Sequence, residues 1–371
     1  MGRVYGRDGY DFAAEAIKLA MDDAGLDKRD IDGLLINTRP SATSWLQLQN
    51  TLGFRDLKLI NQMYSAGATA GTMVQYATMA IEAGLASAVA IVFADAPLTE
   101  SPSSVYTGAD VLPLSGMAGL KCAYGYYGAH PGYALAAKRH MHLFGTTSRQ
   151  LGAIAVAERA WAVMNPHAQM RKPITIEDHQ NSRYVVEPLR LLDCCLVSNG
   201  GVAVIVTSAE RAGNLRQPAV YVLGMAQASP GDDLRLDREP GIYTGAAMAG
   251  EMAFRMAGVT VEDIDILELY DCFTYTVLVT LEDYGFCKKG EGGAFVEDGR
   301  LGPGGSLPTN TGGGQLSGYY MWGMTPLSEA VIQARGHGYD RQVSKNDLVL
   351  VSGNGSTLNQ HSTLILSKHQ S

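Results

Sequence analysis

The stretch Ala24-Gly25-Leu26-Asp27-Lys28-Arg29-Asp30-Ile31-Asp32 has a second copy, Ala257-Gly258-Val259-Thr260-Val261-Glu262-Asp263-Ile264-Asp265, in the far half of the chain. In the first copy an amphipathic helix over Tyr10 to Ala24 places Phe12, Ala13, Ala16, Ile17 and Ala20 on one face. Gly25 stops it, because glycine accepts the left-handed conformation that ends a helix. A turn follows, and Asp30-Ile31-Asp32 leads into the apolar run Leu34-Leu35-Ile36, a short buried strand. The same order around Ala257 predicts an internal duplication. Two halves rich in strand–helix–strand units predict a layered α/β architecture.

Working outward, a helix from about Gly67 to Gly84 is nearly uncharged and reads as buried on most faces. Ala88 to Ala94 reads as a core strand of the parallel-sheet type. From Pro97 to about Glu187 the pattern loosens around two helices, Gly132 to Phe144 and Ser148 to Asn165, as expected of an inserted, substrate-facing region. Gly201 to Val206 returns to a core strand, and Val220-Tyr221-Val222-Leu223 opens the second half. The expected division is residues 1–215 and residues 216–371, which suits a chain too long for one ordinary core.

Composition narrows the function. A net charge of −8 with scattered Lys and Arg gives no nucleic-acid footprint. The apolar runs are short, so no membrane span is expected, and Met1 to Arg7 carries no signal-peptide core. A cytoplasmic location is expected by default. The five cysteines (Cys122, Cys194, Cys195, Cys272, Cys287) form no CxxC pair, and the histidines form no HxxxH or HExxH arrangement, so no metal is expected. Cys194-Cys195 lies in an apolar run and reads as buried free thiols.

Four ordered stretches carry a family resemblance. Asn61-Gln62-Met63-Tyr64-Ser65-Ala66-Gly67 looks like an Asn-x-x-Cys-x-x-Gly nucleophile segment. Leu191 to Cys195, followed by Asn199-Gly200-Gly201, looks like the segment before the last strand of a first half. Glu268-Leu269-Tyr270-Asp271-Cys272-Phe273 looks like Glu-Leu-His-Asp-x-Phe, and Asn310-Thr311-Gly312-Gly313-Gly314 like the run leading into Gly-His-Pro-x-Gly. Together they resemble the thiolase superfamily, in its sterol-carrier and lipid-transfer branch. The resemblance implies a thiolase-like five-layered αβαβα fold built from two duplicated halves, and a homodimer.

The departures bear on the chemistry. Tyr64 stands at the cysteine position, Tyr320 at the histidine of Gly-His-Pro-x-Gly, and Tyr270 at the Asn or His of the third motif. Val351-Ser352-Gly353-Asn354-Gly355 resembles the Cys-x-Gly-x-Gly loop, again without cysteine. Acyl-enzyme chemistry needs an activated thiolate. A tyrosine hydroxyl, with a pKa near 10, costs about 4 kcal/mol to ionise at pH 7 and is a poor acyl acceptor. It is well suited to proton transfer. Retro-aldol cleavage of a β-hydroxyacyl-CoA needs only that, together with donors to hold the thioester enolate.

Tyr270 to Phe273 and Leu316 to Met324 match the Tyr-Asp-x-Phe and Leu-Ser-x-x-Tyr-Met-x-Gly-Met segments of the steroid side-chain-cleaving aldolases. Those enzymes imply no bound cofactor, coenzyme A as part of the substrate, and a small partner with a zinc ribbon and an OB-fold. Tyr319 beside Tyr320 leaves that assignment open by one position. Tyr270 and Tyr320 are the expected acid/base pair, and Tyr64 is either catalytic or a plug of the old cysteine pocket. Asp271 either orients Tyr270 or caps the next helix, with capping expected. The backbone N–H groups of Gly353 and Gly355 are expected to face the thioester oxygen, with an ordinary tight turn as the alternative. Asn354 between them is a substrate-binding candidate, and His361 is either near substrate or a satisfied structural histidine. Two rivals stay open: an acyltransferase with an unrecognised nucleophile, and a non-catalytic subunit. The family also begins with a core strand ahead of its Gly-Arg-rich loop, whereas Met1 to Arg7 reads as that loop. A missing first strand, and an uncovered sheet edge, are therefore expected.

Overall fold

The computed structural model describes residues 1–37, 45–100, 115–231 and 239–370. Helix α1 (Gly9–Ala24) begins at a capping box in which Asp8 and Asp11 exchange side-chain and backbone hydrogen bonds. It ends at Gly25 with φ of 75°, the left-handed cap that glycine adopts without a Cβ penalty. Beyond it lie β1 (Gly33–Asn37), β2 (Leu59–Met63), α2 (Thr69–Glu82) and β3 (Ala88–Asp95). Then come α3 (His130–Phe144), α4 (Ser148–Met164) and β4 (Gly200–Thr207). The second half comprises β5 (Tyr221–Ala228), α5 (Ala246–Ala257), β6 (Ile266–Glu268), α6 (Thr274–Tyr284), α7 (Met324–Ala334), β7 (Leu348–Gly355) and β8 (Gln360–Ser367). Residues 101–114 of the expected insertion lie outside the described residues.

The duplication is visible atom by atom at the turns. Gly258 caps α5 with φ of 69°, as Gly25 caps α1. Asp32 donates its backbone N–H to the Ala88 carbonyl while its carboxylate accepts from the N–H of Ala88. Asp265 makes the same exchange with Leu348. Each aspartate ties the head of one central strand to the head of its neighbour. The Asp-Ile-Asp repeat is therefore a strand-register device in both halves.

Two four-stranded sheets result, in the order β2-β1-β3-β4 and β6-β7-β8-β5. In the first, β1 pairs parallel with β2 and β3, and β3 pairs antiparallel with β4. The run Ala88 to Ala94 thus borders one parallel and one antiparallel neighbour, which refines the parallel-type reading. In the second, β6 and β7 are parallel, β7 and β8 antiparallel, and β8 and β5 antiparallel. Helices α2 and α7 pack against both sheets, α1 covers the outer face of the first, and α5 covers the outer face of the second. The layers are therefore helix, sheet, helix, sheet, helix. Central strands β1 and β3 are apolar and buried, as sheets covered on both faces require.

The sheets differ at one edge. In the second, β5 pairs with β8 along its length. The corresponding edge of β4 has no strand partner among the described residues.

Candidate active site

The site forms where both central sheets end. Tyr270 leaves β6 and is 4% exposed, and its backbone N–H donates to Ser352 Oγ on β7 at 3.1 Å. Its ring lies against Gly67 at the mouth of α2. A Cβ at Gly67 would collide with the Tyr270 ring and with the Asn354 carbonyl oxygen. This glycine is required by close approach, not by its dihedral angles.

Tyr320 arrives from the other direction. Gly314 to Gly318 form a single π-helical turn, and Tyr319 follows in extended backbone (φ −158°, ψ 157°). Successive side chains on extended backbone point to opposite sides. Tyr319 Oη therefore meets Ser328 Oγ at 3.0 Å, while Tyr320 Oη meets Tyr270 Oη at 3.1 Å. Of the two neighbours, Tyr320 is the one whose hydroxyl reaches Tyr270. Its backbone N–H donates to Ser198 Oγ at 2.9 Å.

A third tyrosine, not picked out from sequence, completes the group. Tyr133 on α3 is 3% exposed, and its hydroxyl donates to Asn354 Oδ1 at 2.9 Å. Its ring packs 4.6 Å from that of Phe273. The Asn354 Nδ2 is buried and has no hydrogen-bond partner among the described residues. Tyr133 sits in an ordinary-looking helix with no motif around it, so only the fold brings it here.

Burial pushes the hydroxyls of Tyr133, Tyr270 and Tyr320 well above the ordinary tyrosine range, and each of the three is pushed further by neighbouring tyrosine and cysteine groups. All three are neutral at physiological pH. Burial also raises Cys272 and Cys194 to about 12 and Cys195 well above its ordinary range. These thiols beside the site are protonated and carry no nucleophilic character.

Other expected site residues are placed differently. Tyr64 is 60% exposed and packs edge-on against Trp322 with ring centroids 5.9 Å apart, outside the tyrosine pair. It does not plug a buried pocket. Gly353 and Gly355 on β7 face the Ser65–Ala68 segment. A Cβ at Gly353 would fall 2.8 Å from the Gly67 carbonyl oxygen, and one at Gly355 would collide with that of Ser65. Their role is to let one half of the chain cross the other. His361 is buried on β8, with Nε2 on Tyr284 Oη at 2.8 Å, and burial lowers its pKa to about 3. It is a neutral structural histidine.

Asp271 corrects a further expectation. Helix α6 takes Phe273 as its N-cap, with no side-chain capping bond. Asp271 is fully buried, and its Oδ2 accepts from the N–H groups of Gln315 and Leu316 at 2.6 and 3.0 Å. It holds the turn that delivers Tyr320. It does not cap the helix, and its Oδ2 is turned into the protein.

Relatives now bear on what such a site does. The family described as thiolase C-terminal domain-like matches residues 227–368. A 17-hydroxy-3-oxo-4-pregnene-20-carboxyl-CoA lyase of Mycobacterium tuberculosis is 37% identical, over 94% of this chain and 92% of that one. A steroid side-chain-cleaving aldolase of Thermomonospora curvata is also 37% identical, over 94% and 91%. A solved Ltp2-ChsH2(DUF35) aldolase superposes with a TM-score of 0.89 at 36% identity, covering 100% of this chain and 96% of that one. The chain belongs to the steroid side-chain-cleaving aldolases of the thiolase superfamily. It is a carbon–carbon lyase that performs retro-aldol cleavage on a thiolase scaffold. The acyltransferase and non-catalytic readings give way to that assignment. No helix among the described residues of this aldolase is long and apolar enough to cross a membrane.

Proposed function

We propose that the substrate is a coenzyme A thioester of a bulky β-hydroxy acid of the steroid side-chain type, and that Tyr270 and Tyr320 move the proton. Cleavage of the Cα–Cβ bond turns the β-carbinol into a ketone and leaves a shortened acyl-CoA. The proton lost from the β-hydroxyl is the one needed at Cα, so none is consumed overall. One tyrosine oxygen accepts the β-hydroxyl proton as its own proton passes to the second tyrosine, which protonates Cα. Raised tyrosine pKa values disfavour a free phenolate, and a concerted relay needs none. The 3.1 Å contact between the two hydroxyls is the observation that carries this reading. The relay runs equally well in either direction.

The thioester oxygen gains negative charge as the bond breaks, and a preorganised donor in a dry site stabilises it. Asn354 Nδ2 is proposed for that role, since it is buried, lacks a partner and is fixed through Oδ1 by Tyr133. Tyr64 is proposed to line the open side of the site and not to transfer protons. The name of the solved relative joins Ltp2 to ChsH2(DUF35), which supports a DUF35-type partner here, with the zinc ribbon and OB-fold that the family resemblance implies. A homodimer is proposed on the same resemblance.

Purified protein, co-expressed with such a partner, is expected to convert a steroid β-hydroxyacyl-CoA into equal amounts of ketone and shortened acyl-CoA. Formation of a stable acyl-protein, with no ketone released, would overturn the reading.

A further inference from the structure

Beneath the turn that delivers Tyr320 lies a group of buried carboxyls that the proposed relay does not use. Glu158 on α4 is 1% exposed and Asp271 fully buried. Both press on Gly314, where a Cβ would collide with Asp271 Oδ2 and approach Glu158 Oε2 to 2.6 Å. Asp271 Oδ2 is taken by the N–H groups of Gln315 and Leu316. Glu158 Oε1 accepts from Asn310 Nδ2 at 2.8 Å, and Asn310 Oδ1 in turn accepts from the Leu269 N–H. What remains is one oxygen on each carboxyl, Glu158 Oε2 and Asp271 Oδ1, buried and with no other partner among the described residues.

Two carboxylates cannot face each other unsatisfied in a dry interior; one must hold a proton and donate it. The surroundings decide which. Asp271 has two backbone N–H donors on a single oxygen, and so its anion is the better stabilised. Glu158 has one neutral amide. Charged neighbours do not reverse this order. Glu268 on β6 is itself pushed well above the ordinary carboxyl range by burial and by Glu329 on α7, and the Arg341 guanidinium is engaged with both Glu329 oxygens. Arg159, next to Glu158, turns away to Ser317 Oγ and the Lys172 carbonyl. His179 and Asp193 pair with each other at 2.8 Å, beside Gly152. Burial raises Glu158 well above the ordinary carboxyl range, and raises Asp271 to about 6.

We propose that Glu158 is a positioning residue: its carboxyl proton, donated to Asp271, fixes Asp271 as the acceptor for the Gly314–Gly318 turn and so holds Tyr320 against Tyr270. The inference deepens the proposed role of Tyr320 and rests on it. Loss of the proton sets two anions against each other under the turn and loosens the tyrosine pair. Because a group whose pKa is raised on folding stabilises the fold at low pH, this contribution is present below the ordinary glutamate range and fades as pH rises through the raised value.

The test compares Glu158→Gln and Glu158→Ala in the full chain. Glutamine keeps an N–H donor toward Asp271 and an acceptor for Asn310, without the titration. Glu158→Ala is expected to lower kcat by about 10²-fold with KM little changed, as loss of alignment does. Glu158→Gln is expected to regain most of that loss and to remove the alkaline limb of the wild-type kcat profile. Infrared spectroscopy is expected to show protonated-carboxyl absorption at neutral pH from Glu158 and from Glu268, and Glu158→Gln is expected to remove the Glu158 component. Infrared absorption unchanged in Glu158→Gln, or a wild-type alkaline limb in that variant, would overturn the proposal. The infrared reading does not depend on catalysis, so it stands even if Phe variants show that the tyrosine pair is not the reacting pair, and it needs no folded alanine variant.

Discussion

The hydroxyl oxygens of Tyr270 and Tyr320 lie 3.1 Å apart although 50 positions separate the residues in the chain. Each is held by its own buried anchor, the Tyr270 N–H on Ser352 and the Tyr320 N–H on Ser198. One anchor belongs to the second half of the duplicated chain and the other to the first. The pair therefore exists only when both halves are folded against each other. A solvent-exposed tyrosine pair would be bridged or separated by water; here burial leaves the two hydroxyls in direct hydrogen-bond contact, the arrangement a proton relay requires.

Removing either hydroxyl breaks that relay without disturbing the ring packing. Tyr270→Phe and Tyr320→Phe are each expected to lower kcat by about 10²–10⁴-fold, the range over which positioned proton transfer contributes. The double variant should be little worse than either single one, because residues acting as a unit are not additive. Ketone release under saturating substrate measures this, with far-ultraviolet circular dichroism as the folding control. Near-wild-type turnover in both single variants would remove the pair from the mechanism. Tyr64→Phe, by contrast, should retain turnover within a few-fold, since Tyr64 stands outside the pair.

Gly67 tests the shape of the site. A methyl group there has nowhere to go between the Tyr270 ring and the Asn354 carbonyl. Overpacking of this kind costs about 1–3 kcal/mol, and relief must come from moving Tyr270 or β7. Gly67→Ala is expected to lower the urea midpoint and to reduce kcat far more than that loss of stability explains. A fully active Gly67→Ala would mean that the ring and strand can part freely.

Much of this was readable in the chain itself, and the exceptions share a cause. The repeated Ala-Gly to Asp-Ile-Asp segment was legible because one glycine cap and one aspartate do the same backbone work twice. Tyr270 and Tyr320 were legible because they replace motif residues. Tyr133 and Glu158 were not, because a tyrosine on α3 and a glutamate on α4 look like any other helical residues until packing buries them. Asp271 misled for a related reason: an aspartate just before a helix usually caps it. Here two competing backbone donors, on a turn 44 and 45 residues further along, claim it instead.

His361 gives the fold an acid sensitivity. Burial lowers its pKa to about 3, so it stays neutral in the folded protein while the unfolded chain takes up a proton near pH 6.5. A depressed pKa contributes stability above the unfolded value and loses it as pH falls. Between pH 7 and pH 5 the loss from this residue is expected to be about 2 kcal/mol. His361→Gln keeps an acceptor for Tyr284 and removes the titration, so its stability should fall less over the same interval. Urea denaturation of both proteins at pH 7 and pH 5 checks the difference. Equal slopes would assign the acid sensitivity to other groups.

Asn354 separates oxyanion stabilisation from proton transfer. Its Nδ2 is buried with no partner among the described residues, a cost the fold bears in the absence of substrate. If that donor meets the thioester oxygen, Asn354→Ala should lower kcat by about 10²–10³-fold, the magnitude seen when one preorganised oxyanion donor is removed. Stability should change little or rise slightly, because an unsatisfied donor leaves the core. Tyr133→Phe should act in the same direction but more weakly: the amide remains, and only its orienting bond to the Tyr133 hydroxyl is lost. The two effects should not add in the double variant, since without the amide there is nothing left for Tyr133 to orient. An Asn354→Ala variant that keeps its kcat while losing stability would identify the amide as part of the packing and move the search for the oxyanion donor to the backbone N–H groups around it.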